Sequence, residues 1–363
     1  MTMTVAPHSG TAPFTLSVLD NALTGVGQTA QQAYAEIIEL AKTSERSGYQ
    51  RFWMSEHHAM PGATASSPQM MLSRLTGETE RIRLGAGGVM LPNHSPLVIA
   101  EQFGMLDTLA PGRVDLGLGR APGTDPATAE ALRRTTNGDD FPSRVAEVIG
   151  FLGDDFPRGH RYANVHAVPG PWQADQNRVP RPATAPQVWI LGSSPYSAQL
   201  AGRLGRPYAF ALQFGDADVD GAMSLYRSTF RPSDVLDEPY SLVSVGVVAH
   251  DDAEEASRQT TSAAMAMLRM LQRKPFALIP PAEAEAYPAT AQERNVLDHY
   301  RQQYVHGTVD TVVDTLEQLQ SRTGVDEVML AVQGHSRSAM SRTVELIADH
   351  YDMAESTLAA AAR

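Results

Sequence analysis

Apolar residues recur along this chain in two alternating rhythms. Short runs rich in β-branched residues alternate with stretches that repeat with helical spacing. Residues 14–19 read as a first strand. Ala33, Ile37, Leu40 and Ala41 give a helical stripe over 31–46, with Gly48 placed as its stop. Residues 51–55, 82–89 and 114–118 read as strands two to four. Helices over 68–79 and 95–109 separate them, the second stopped by Pro111-Gly112. The rhythm loosens over 121–160, and 161–186 is rich in proline and polar residues with little periodicity. It resumes with strands at 187–191, 207–212, 241–249 and 327–332. Helices follow at 197–204 and 252–273, then along Val309, Val312, Val313, Leu316 and Leu319, and along Met340, Val344, Ile347 and Tyr351. Eight strands alternating with helices predict an α/β protein with a parallel sheet and crossover helices. An open doubly wound sheet also fits. Eight repeats in continuous rhythm favour the closed (β/α)8 TIM barrel. No second self-contained apolar pattern is visible. Residues 1–363 therefore read as one domain with a loose start over 1–13 and insertions at about 121–186 and 274–306.

Composition narrows the partners. A net charge of -12 argues against nonspecific binding to nucleic acid or anionic membranes. The absence of cysteine excludes disulfides and thiol catalysis. No basic-then-apolar leader and no long apolar run is present, so the expectation is a soluble cytoplasmic protein.

The candidate chemistry sits just past successive strand ends, which in a barrel converge on one face. His57, in Glu56-His57-His58, follows strand two and could exchange a proton near neutral pH. The alternative is a histidine satisfied by backbone partners. A metal at Glu56-His57-His58 is not expected, because neighbouring residues in extended chain point to opposite faces and no second His/Asp cluster of ligand spacing appears. Gly87-Gly88 closes strand three and offers either a flat wall for a ligand or a bulge that only turns the chain. Arg120 follows strand four, where its donor fork suits either a phosphate or a surface ion pair. Gly117, Gly119 and Gly123 miss the dinucleotide fingerprint spacing. Ser194 and Ser197 open the helix after strand five, either as an anion site or, for Ser194, as a plain N-cap. Neighbouring strands four and five could clamp one phosphate between Arg120 and these serines. A base, a glycine wall and a phosphate clamp together make a bed for flavin mononucleotide.

These three motifs, Trp53-Met54-Ser55-Glu56-His57-His58, Leu84 to Pro92, and Pro111 to Arg120, resemble the bacterial luciferase-like flavin monooxygenases in order and spacing. The resemblance runs over about 14–212 and returns over about 305–352, where Gly307-Thr308, Glu317, Gly324, Asp326 and Glu327 look like the family's closing segment. It implies that His57 is the catalytic base near the flavin. It also implies that Gly87-Gly88 is a non-proline cis peptide against the ring, and that Arg120, Ser194 and Ser197 bind the phosphate. Gly119 stands where luciferase has a reactive cysteine, which puts luciferase-like stabilisation of the oxygenated flavin in doubt but not oxygenation itself. Residues 274–306 align poorly and by position would be a lid.

The function so implied is a two-component monooxygenase. Reduced FMN comes from a separate flavin reductase, O2 is the co-substrate, and a C4a-peroxyflavin oxygenates a small or medium organic substrate. Arginine-rich, lysine-poor usage, with Lys42 and Lys274 the only lysines, fits a tailoring enzyme of secondary-metabolite biosynthesis. The likeness also implies a homodimer. The alternatives are an F420-dependent hydride-transfer oxidoreductase, which uses no oxygen, and a non-catalytic flavin-binding subunit.

Overall fold

The computed structural model describes residues 3, 9–121, 124–132, 140–215 and 217–354; Gly123 and most of the first eight residues lie outside these. Among the described residues, nine strands form one parallel sheet: β1 (Thr15–Asp20), β2 (Arg51–Met54), β3 (Arg83–Met90), β4 (Val114–Gly119), β5 (Gln187–Gly192), β6 (Tyr208–Ala211), β7 (Ser241–Ala249), β8 (Val305–Gly307) and β9 (Glu327–Val332). β1 pairs with β2 and β9, and β7 with β6 and β9, so eight strands close into a ring. The short β8 hangs on the outer part of β7 and takes no place in the ring. The closed barrel expected from the alternation is therefore present.

Helices cross over between the strands for legible reasons. α1 (Ala30–Arg46) begins where the Thr29 hydroxyl accepts from the Gln32 N–H while the Gln32 side chain accepts from the Thr29 N–H. It buries Ala33, Ile37, Leu40 and Ala41 and gives way to Gly48 at φ 82°. α2 (Pro68–Thr76) and α3 (Pro96–Leu109) both open with proline in the first turn, where its missing N–H costs nothing. The loosened stretch holds α4 (Pro126–Ala131), α5 (Phe141–Gly153) and α6 (Pro171–Asn177). α7 (Pro195–Leu204) follows β5. α8 (Val219–Thr229), absent from the sequence reading, joins β6 to β7 and buries Val219, Ala222, Met223 and Tyr226.

The 274–306 segment is built rather than loose. α10 (Pro281–Glu285) and α11 (Ala291–Gln302) dock on α9 (Ala253–Leu271), where Ile279 and Ala284 pack against Met265 and Leu268. Its first residues are stitched across the barrel mouth. Leu278 donates to Thr24 O and accepts from Val26 N, both at 2.8 Å, and Thr24 donates to Gly62 O. α12 (Val309–Thr323) and α13 (Arg337–His350) complete the outer ring. No described helix is long and apolar enough to cross a membrane.

Most of the core lies between strands and helices, but a second cluster fills the barrel itself. There Trp53 and Trp189 meet edge to face at 5.2 Å, surrounded by Leu19, Ala209, Leu242, Met329 and Ala331. Below them, at the N-terminal ends of the strands, lies a buried ionic floor. Arg51 donates to Asp115 at 2.7 Å and to both oxygens of Glu327 at 2.7 and 3.0 Å. Arg83 and the Trp53 indole, each at 3.0 Å, also bind Asp115, and the Tyr240 hydroxyl donates to Glu327 at 2.9 Å. Ser17 also bonds Glu327. Two arginines and two carboxylates thus cancel. Burial pushes the Asp115 carboxyl up, but Arg83 and Arg51 outweigh it and hold the group below its ordinary range.

Candidate active site

The C-terminal ends of the strands present the site residues in order around the mouth. β2 ends at Met54 and the chain continues through Ser55 and Glu56 to His57, whose backbone N–H binds Ala65 O at 3.0 Å. His57 is partly exposed, whereas Glu56 is fully buried. The Glu56 carboxylate gathers the segment. One oxygen accepts from His58 Nε2 and His94 Nε2, each at 2.8 Å, and the other from the Met90 N–H at 3.1 Å. Burial alone would raise this carboxyl, but the bonds from His94, His58 and Met90 prevail and hold it below its ordinary 4.5. Glu56 therefore ties the exit of β2 to that of β3 as an anion.

His94 was not singled out in the sequence. The alternation argument holds as far as it goes, since Glu56 and His58, two apart, share a side. Their third member comes from the β3–α3 turn, 38 positions away, where linear spacing carries no signal. The Asn93-His94-Ser95-Pro96 step after a strand end was the available hint.

The Gly87–Gly88 peptide is cis, as the resemblance implied, and Gly88 is the extra residue of a bulge: Gly87 pairs with Gly117 and Val89 with Leu118. The bare backbone has an internal reason as well as any external one. A Cβ on Gly87 would sit 2.6 Å from the Trp53 ring, and one on Gly88 2.7 Å from Gly117 O and from Leu191. Gly87 keeps part of its surface open.

Arg120 is brought to the first turn of α7. The exposed Arg120 lies with its guanidinium carbon 4.4 Å over the ring of Tyr196, in the first turn of α7. Ser194 stands at the N-cap position, yet its side chain makes no cap bond and proline follows it. The plain capping reading thus loses its hydrogen bond, and the hydroxyl does not occupy the first-turn N–H groups of α7. Ser197 is buried instead. Its hydroxyl donates to Ser194 O at 2.9 Å and lies 3.3 Å from the Tyr208 hydroxyl, which donates to Gly192 O. Burial pushes the Tyr208 hydroxyl up to about 12, so it remains a donor. Ser197 therefore shapes the turn from behind.

A groove of about 1090 Å³ lies elsewhere, lined by Gly104, Asp107, Thr184, Pro186 and Arg206. It neighbours the strand starts and contains none of these groups. Barrel enzymes place their chemistry at the opposite end, and the convergent polar groups are there.

The family of luciferase-like monooxygenases matches residues 14–327. A luciferase-like monooxygenase of Escherichia coli is 38% identical over 92% of this chain and 96% of its own length. The apo form of MsnO8 superposes with a TM-score of 0.81 at 31% identity, covering 94% of this chain and 98% of its own. The oxygenase component of a flavin-dependent trigonelline monooxygenase from Acinetobacter baylyi is 27% identical over 63% of each chain. By these likenesses the chain belongs to the luciferase-like monooxygenase family, an oxidoreductase on a (β/α)8 barrel.

Proposed function

We propose that this protein is the oxygenase component of a two-component system. It would take reduced FMN from a separate flavin reductase and use O2 to oxygenate a small or medium organic substrate. The observation that carries this reading is the meeting of Arg120 with Tyr196 at the open end of α7. A guanidinium beside a helix start whose N-cap side chain makes no cap bond fits a dianionic phosphate. The bare backbone at Gly87-Gly88 fits a planar ring between that clamp and His57. Bound reduced FMN supplies the two electrons that let one atom of O2 enter the substrate while the other leaves as water. The chain's own part is to hold and shield. Arg120, Ser194 and the α7 N-terminus grip the phosphate, with Ser197 fixing their turn. His57 accepts or returns a proton at its imidazole. The stitched 24–26, 62 and 278 backbone covers one side of the mouth and keeps water out.

The relative described as a flavin-dependent oxygenase component supports the flavin and the reductase. A homodimer is part of the proposal. Val98, Met105 and Leu109 on α3 and Met70 on α2 are large exposed apolar residues on neighbouring helices, the kind of surface a second copy covers.

The test is rapid mixing of the FMNH2-loaded protein with oxygenated buffer. Flavin reoxidation slower than that of free FMNH2 is expected, with substrate oxygenation in a subsequent screen. His57→Ala should lower product formation by about 10²–10⁴-fold while FMNH2 affinity is kept. Reoxidation as fast as free flavin would sink the oxygenase reading, and surviving turnover would remove His57 from its role.

A further inference from the structure

We propose that Glu56, His58 and His94 form a binding site for a divalent transition-metal ion at the barrel mouth. One carboxylate oxygen and two imidazole nitrogens have donor atoms within 4.8 Å of one another. The glutamate is fully buried, and the histidine side chains are 15% and 24% exposed. The donors are held from behind. The second Glu56 oxygen is fixed by the Met90 N–H at 3.1 Å, which leaves the first oxygen facing both imidazoles. The backbone carbonyl of His58 is held by Thr124 at 3.0 Å and that of His94 by Arg144 at 3.2 Å.

The donor set decides the class of ion. Two imidazoles with one carboxylate suit zinc, iron(II), cobalt or nickel, whereas magnesium and calcium call for oxygen ligands throughout. Without an ion, the Glu56 oxygen takes an N–H from each histidine. With one, each imidazole moves its proton from Nε2 to Nδ1, and the ion replaces the two hydrogens. Three protein ligands leave at least one position for water or an added anion, the pattern of open rather than closed sites. His57, between Glu56 and His58, takes no part. The inference needs no flavin and stands whether or not the oxygenase reading does.

The experiment is a Zn2+ titration of tag-free, EDTA-dialysed full-length protein by calorimetry, with Mg2+ and Ca2+ as controls. One equivalent of Zn2+ should bind and neither control ion should compete. His58→Ala and His94→Ala should each weaken binding by about 100-fold or more, with far-UV circular dichroism showing that the fold is kept. Glu56→Gln, which keeps the side chain's size, should weaken it as well. In the Co2+ form, the visible bands of the wild type should be lost in His94→Ala. Absence of saturable Zn2+ binding would overturn the site, as would wild-type affinity retained in both folded histidine variants.

Discussion

The barrel has a polar layer at each end, and the two are built on opposite plans. At the floor, Arg51, Asp115 and Glu327 are buried and, with the partly exposed Arg83, turn their bonding capacity on each other, with Trp53, Tyr240 and Ser17 taking further lone pairs. At the mouth, Glu56 is equally buried, but the groups around it are half-open: His57, His58, His94 and Gly87 retain surface, and Arg120 is exposed. Charge that is closed on itself holds a shape. Charge with spare valence facing a cavity can act on a ligand. Polarity within a barrel is thus ambiguous until its partners are counted.

The largest effect should come from opening the floor. Arg51→Met leaves Asp115 and Glu327 short of a buried partner, and we expect a loss of about 3–5 kcal/mol in denaturant unfolding. A loss below about 1 kcal/mol would mean that water or a repacked Arg83 takes its place, and the floor would no longer differ from a surface pair. At the mouth the same kind of deletion should spare stability and strike binding. Arg120→Ala should weaken FMN by about 1.5–3 kcal/mol, the scale of a charge-assisted bond, in a fluorescence titration. Its thermal midpoint should stay close to wild type. Unchanged affinity would remove the clamp.

The smallest effect tests how a carboxylate outside both layers behaves. Glu45 accepts the N–H groups of Glu80, Arg81 and Ile82 at 2.9, 2.6 and 2.9 Å. Burial pushes its carboxyl up, but those bonds win and hold it below its ordinary 4.5. A depressed carboxyl stabilises the fold fully above the unfolded value and loses that stabilisation as pH falls through the folded one. Glu45→Gln should therefore cost about 1 kcal/mol at neutral pH. The gap to wild type should narrow in unfolding curves taken progressively below pH 4.5. A gap independent of pH would show that shape, not charge, matters there.

Much of this was legible in the chain. Strand and helix periodicity gave the ring, because each β/α unit carries its own local signal. α8 escaped although Val219, Ala222, Met223 and Tyr226 have helical spacing, and β8 is only three residues long. At the mouth, His57, Arg120 and Ser194 were visible because each lies just past its own strand, and Gly87-Gly88 because the pair sits near the end of β3. The floor was not. Arg51 meets Asp115 across 64 positions and Glu327 across 276, and only ring closure brings them together. His94 was missed because it comes from the β3–α3 turn, 38 positions from Glu56.

Trp53 has one further consequence. Its ring occupies the space that side chains on Gly85 and Gly87 would need, with a Cβ at either position falling within 2.6 Å of it. These three positions form an epistatic unit. Alanine at Gly87 is barred while the indole remains, alanine at Gly85 would meet the Asp115 Cβ at 2.7 Å even without it, and a smaller residue at Trp53 alone empties the barrel's centre. A side chain at Gly87, on the candidate ligand bed, therefore requires a change at Trp53 beneath it.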